Sequence, residues 1–169
     1  MDTTVKLYSY RFADVRTYFF AALFVAGNIV LPQLCHLLPQ GGMILLPIYF
    51  FTLIGAYKYG WKVGLLTAVA SPLVNSALFG MPAVAVLPAL LLKSVLLAVA
   101  AGFVAQRFNR VSLPLLLLVV LFYQTFGTLG EWIMTGDFIL AVQDFRLGLP
   151  GMAIQLFGGY AVLRWLMRK

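Results

Sequence analysis

The chain has 169 residues, of which 63% are hydrophobic and 10% charged, and a formal net charge of +7. Soluble domains carry about 25% charged residues, so this composition excludes a water-covered globule and makes lipid the natural solvent. The basic excess falls between apolar runs, where it reads as membrane topology, so nucleic acid is not an expected partner.

Met1 to Arg16 is polar and lacks the apolar core of a cleavable signal, so the first apolar run is expected to stay as a helix. A spanning helix needs roughly 20 apolar residues, and charges punctuate the chain at about that spacing. No Asp, Glu, Lys or Arg stands between Arg16 and Lys58, a gap long enough for two helices, which Pro39-Gln40-Gly41-Gly42 divides. The pattern predicts helices over 17–38 and 43–57. Between Lys62 and Arg107 the only charge is Lys93, and Gly80-Met81-Pro82 divides that stretch into helices over 61–79 and 84–106. A fifth helix follows over 113–129, then a polar segment from Glu131 to Arg146, then a sixth helix over 148–166. The expected fold is an all-α membrane protein, one domain over 1–169 with six transmembrane helices.

The charges then sort by side. Lys6, Arg11, Arg16, Lys58, Lys62, Arg107, Arg110, Arg164, Arg168 and Lys169 all fall on one side of a six-helix layout. The other side has only Arg146 among basic residues, with Glu131, Asp137 and Asp144. The positive-inside rule places both termini in the cytoplasm, as in a multi-pass protein of a prokaryotic inner membrane. Tyr57, Tyr59, Trp61 and Trp165 would form an inner aromatic belt and Trp132 part of an outer one.

Lys93 is the charge that topology leaves unexplained. A lysine inside a span costs about 2.5–3.5 kcal/mol on insertion scales, so it should face the bundle interior or a wet cavity. It reads as an anchor for an anionic or carbonyl-bearing ligand, or as half of a structural pair with Glu131, or as a snorkelling side chain. Asn75, Gln124, Glu131, Trp132 and His36 cluster toward the same outer depth and, with Lys93, would line one outward-facing pocket, where Tyr123 and Trp132 would stack on a planar ligand. The bland alternative for each alone is interhelical hydrogen bonding.

Cys35 is the only cysteine, so no internal disulfide and no Cys-based metal cluster can form. Cys35-His36 is an incomplete set for a structural ion, though either would serve as one axial ligand to a metal held in a macrocycle; no metal or other cofactor is expected. Ala22 and Ala26 share one face of the first helix and would let another helix approach closely, a pattern that Gly64/Ala68, Ala98/Gly102 and Ala101/Ala105 repeat. No phosphate-binding loop of the Walker type, no His-Glu-x-x-His and no plausible Ser/His pairing occurs, so an enzyme is not expected.

In size, helix number and topology, in the Ala22-x-x-x-Ala26 face, and in the stretch from Gly60-Trp-Lys-Val-Gly64 through Ser71-Pro72 to Gly80-Met-Pro82, the chain resembles the substrate-binding S components of energy-coupling-factor vitamin transporters. That resemblance implies a vitamin or related micronutrient bound in an outer pocket. It implies as partners a transmembrane coupling subunit, docked on Ala22 and Ala26, and two ATPase subunits. A solitary cobalamin-binding group in that family uses a cysteine as metal ligand, but no motif aligns it with Cys35. The rivals are a structural or scaffolding protein of the cell envelope, with Lys93 in an internal ion pair, and a membrane enzyme acting on lipid through Glu131, Asp137 and Asp144.

Overall fold

The structure, a computed structural model, describes residues 7–167 and is all-helical, with no extended strand among them. Lys6, Arg168 and Lys169, which the charge sorting uses, lie outside the described residues.

Helix α1 runs Val15–Cys35, capped by the Asp14 side chain on the Arg16 N–H at 3.0 Å. It ends three residues short of the expected limit, with His36 as its C-cap. Helix α4 (Trp61–Phe79) matches the expected limits, and α5 (Leu87–Phe108) starts three residues late, with Pro88 in its first turn. Helix α6 is Leu113–Thr135, capped by Ser112 and closed by Gly136 at φ 70°. It runs six residues past its expected end and so absorbs Glu131 and Trp132. The glutamate is tolerated there because it meets a buried counter-charge, described below.

The second expected helix is broken. Residues Gly41–Leu45 form the short α2, Leu46 turns left-handed at φ 47° and ψ 47°, Pro47–Tyr49 form a 3-10 turn, and α3 continues over Phe50–Tyr59. Pro47 is the physical reason, since its ring disfavours right-handed helix at the residue before it. A left-handed L-residue costs roughly 1–2 kcal/mol, and Leu46 carries it while fully inside the structure. The polar segment holds two short helices, α7 (Phe138–Ala141) and α8 (Gln143–Leu147). The last expected helix is α9 (Leu149–Ala153), a π turn over Ile154–Gly158, and α10 (Gly159–Met167).

Four helices, α1, α4, α5 and α6, are each long and apolar enough to cross a membrane. They mark the chain as a membrane protein, and their outward faces carry Phe19, Leu23, Val30, Phe103, Leu118 and Ile133 exposed, as a lipid-facing surface requires. Helix α5 packs between α4 and α6, while α3 sits against α1, α4 and α5. Gly60, at φ 102°, makes the tight α3–α4 turn.

One end of the bundle gathers basic turns and aromatic rings. Tyr57 donates its hydroxyl to the Arg110 carbonyl at 2.8 Å, Gln106 reaches Ser9 at 3.1 Å, and Tyr10, Phe20 and Tyr59 stack together. Lys62 lies over the Phe12 and Trp61 rings. The opposite end holds α2, the bend at Leu46, α7, α8 and the Gly80–Val86 connection.

Candidate ligand-binding site

Lys93 stands on α5 toward that opposite end and is 3% exposed. Its ammonium meets two carboxylates, Glu131 Oε2 on α6 at 2.6 Å and Asp144 Oδ2 on α8 at 2.7 Å. The path is made by Gly127, because a Cβ there would overlap Lys93 Cγ. Glu131 lies four residues further along α6, on the same face one turn up, where the lysine stem delivers its charge. The Glu131 pairing is the structural alternative seen in the sequence. Asp144 as second partner was not. A charge count contained the hint: of the three acids at this end, Asp137 is used as the N-cap of α7 through Leu140 N–H at 3.0 Å, which leaves two acids for one buried lysine.

This cluster lies in the wall of a cavity of about 170 Å³ beside Leu46, Tyr49, Ala89 and Gln143. A second cavity of about 310 Å³ adjoins it and is lined by His36, Gln40 and Asn75, among others. The two share Gly42, Met43, Ile48, Val86 and Leu90 as lining residues. The break therefore lies in the cavity walls, Leu46 lining the first and Pro47 the second, with Gly151 of α9 packed on the Leu45 carbonyl.

Asn75 is fixed by a polar node that the sequence reading missed. Pro32 has no N–H, so the carbonyl of Asn28, four residues earlier on α1, loses its helical donor. Asn75 Nδ2 donates to that oxygen at 2.9 Å and also to the Ser71 carbonyl at 2.9 Å. Asn28 itself donates to Thr52 Oγ1 and Ser71 Oγ and accepts from the Phe51 N–H, joining α1, α3 and α4. Asn75 Oδ1 has no hydrogen-bond partner among the described residues. A proline with a buried amide four residues before it was the available signal.

The other expected residues are placed differently. His36 lines the second cavity, its imidazole against Gly42. Gln124 is fully buried but lines neither cavity: its Nε2 donates to the Tyr123 hydroxyl at 3.1 Å, which donates to Gln155 Oε1 at 2.7 Å in the π turn. Trp132 is 43% exposed, lines neither cavity and packs edge-on against Phe138. Tyr123 contacts Tyr49 and reaches the first cavity only through it. Ala22 and Ala26 are exposed on α1, opposite its buried residues Ala21, Phe24 and Asn28. Cys35 is a half-buried free thiol, and no group of three or more metal-capable side chains forms among the described residues.

Comparisons with protein-family models, curated proteins and solved structures gave no match.

Proposed function

We propose that the chain is the substrate-binding membrane subunit of an energy-coupling-factor type importer. In this reading it has six spans with both termini cytoplasmic, and takes a vitamin or related micronutrient from outside. The segmented stretches 41–59 and 149–167 supply the second and sixth spans. The coupling subunit docks on Ala22 and Ala26, and two ATPase subunits supply the energy. The chain performs no chemistry of its own.

The observation that carries this reading is the pair of adjoining cavities built around a broken helix and a buried charge cluster. Helices interrupted in mid-course line binding sites in transporters because irregular backbone is tolerated only beside a cavity or protein. A bend at a non-glycine left-handed residue is kept only when the surroundings demand it, and here the surroundings are the cavity walls. The basic turns gathered at the other end support cytoplasmic placement of that end.

The scaffolding rival has one observation in its favour: Lys93 is already paired within the chain. Mass spectrometry of the protein purified from its native membrane separates the two. A stoichiometric small molecule is expected for the importer subunit, and its absence together with no binding of any water-soluble vitamin supports the scaffold.

A further inference from the structure

From the charge and hydrogen-bonding character of the two cavities we infer that their ligand is an organic cation carrying N–H donors, with its charged end at Glu131 and Asp144 and its body beside Asn75. This rests on the binding-subunit reading above and names its substrate class. It also reverses the sequence expectation that Lys93 would anchor an anion.

The first ground is charge. One ammonium faces two carboxylates, at 2.6 and 2.7 Å. With all three groups ionised the cluster keeps one net negative charge, in surroundings where an uncompensated charge is costly. Arg146, two residues beyond Asp144, lines a neighbouring groove that shares Leu140 and Gln143 with the first cavity, but it forms no ion pair with Glu131 or Asp144 among the described residues. Glu131 also lies in the last turns of α6, whose terminal carbonyls add negative potential. An anion would have to displace two carboxylates from Lys93 and then sit beside them, whereas a cation completes the balance.

The second ground is hydrogen-bonding polarity. Lys93 uses one oxygen of each carboxylate, and the other oxygen of each makes no hydrogen bond among the described residues. Asn75 is 1% exposed and lines the second cavity with Oδ1 unpaired. Its amide cannot be turned round, because two carbonyl oxygens need the NH2 end. The second oxygens of Glu131 and Asp144 and the Oδ1 of Asn75 are acceptors, and Asn75 Oδ1, which is buried, requires a donor. An ammonium or amidinium supplies both the charge and the N–H groups. Met43, Ile48, Val86 and Leu90, which line both cavities, then offer apolar surface to an apolar or aromatic body.

The test uses the full chain in detergent at low salt with three matched probes: phenethylamine, 2-phenylethanol and 3-phenylpropionate. Binding is read by calorimetry and thermal shift. The amine is expected to bind about tenfold more tightly than either of the others. Glu131→Gln and Asp144→Asn, each of which removes the excess charge, are expected to erase that advantage, read as the ratio of amine to alcohol affinity within each variant. Tighter binding of the carboxylate, or an amine advantage that survives both substitutions, overturns the cation assignment and leaves a binding subunit standing. Binding of none of the three overturns the cation assignment, and the mass spectrometry described above then decides the binding-subunit reading by itself. If the variants do not fold, the order of the three probes on the unaltered protein decides.

Discussion

Asn75 donates from α4 to the one carbonyl oxygen of α1, that of Asn28, which Pro32 leaves without a helical partner. The contact is between helices that lipid would not otherwise hold together, since apolar surface gains little by leaving hydrocarbon. Asn75→Leu is expected to lower stability by about 1 kcal/mol, and up to about 3 kcal/mol if the freed carbonyl stays dry. Pro32→Ala restores an N–H at position 32 and should reduce that loss. A double-mutant cycle on melting in detergent checks this, and an Asn75→Leu loss of equal size in both backgrounds refutes the link.

Gly127 sets the distance between α5 and α6 at the height of Lys93. Any Cβ there meets Lys93 Cγ, while at Gly130 it meets only the terminal Cδ2 of Leu92. A methyl on a leucine end can rotate aside, but the lysine stem is pinned at its far end by two carboxylates. Gly127→Ala should therefore cost about 1–3 kcal/mol as overpacking, and Gly130→Ala clearly less. Equal melting temperatures for the two variants would mean that the α5–α6 spacing is not fixed at this point.

Much of the fold was legible because charged residues in a membrane chain are few and have strong reasons for where they stand. The gaps between Arg16, Lys58, Lys62 and Arg107 set α1, α4 and α5 to within a few residues. The break at Leu46 was hidden by hydropathy, since residues 43–57 read as one apolar run and Pro47 alone carried the signal. The end of α6 was misjudged because Glu131 looks like a loop residue until its partner is known, and that partner lies 38 positions away on α5. Asp144 is a tertiary partner at 51 positions from Lys93, beyond any local pattern. Depth alone put Gln124 and Trp132 with the site, but depth does not say which face of a helix turns inward.

Removing Lys93 alone should be far worse than removing the whole cluster. Lys93→Met leaves two facing carboxylates without a counter-charge, a loss of about 3–5 kcal/mol for a broken buried pair. Adding Glu131→Gln and Asp144→Asn to Lys93→Met removes every charge and should recover most of that loss, since neutral replacements of buried ion pairs are often tolerated. Melting temperature and monodispersity in detergent measure both. A triple variant as unstable as Lys93→Met would show that the cluster is held for packing rather than for charge balance.

The exposed face of α1 carries the prediction about partners. Ala22 and Ala26 lie four apart and exposed, on the side away from Ala21, Phe24 and Asn28. Small residues four apart let a second helix approach to backbone distance, and a bulky side chain there blocks that approach without disturbing the helix that bears it. Ala22→Trp and Ala26→Trp should therefore fold normally, within about 0.5 kcal/mol of the parent chain as surface changes do, and should retain ligand. On the proposed importer reading, uptake into cells or energised vesicles and co-purification with a coupling subunit should both be lost. Neither Ala22 nor Ala26 lines either cavity, and Pro32 is the one residue within α1 that does, so a change in affinity is not expected from either substitution. Uptake that persists in both variants would remove helix α1 as the docking surface while leaving the cavities as the site of binding.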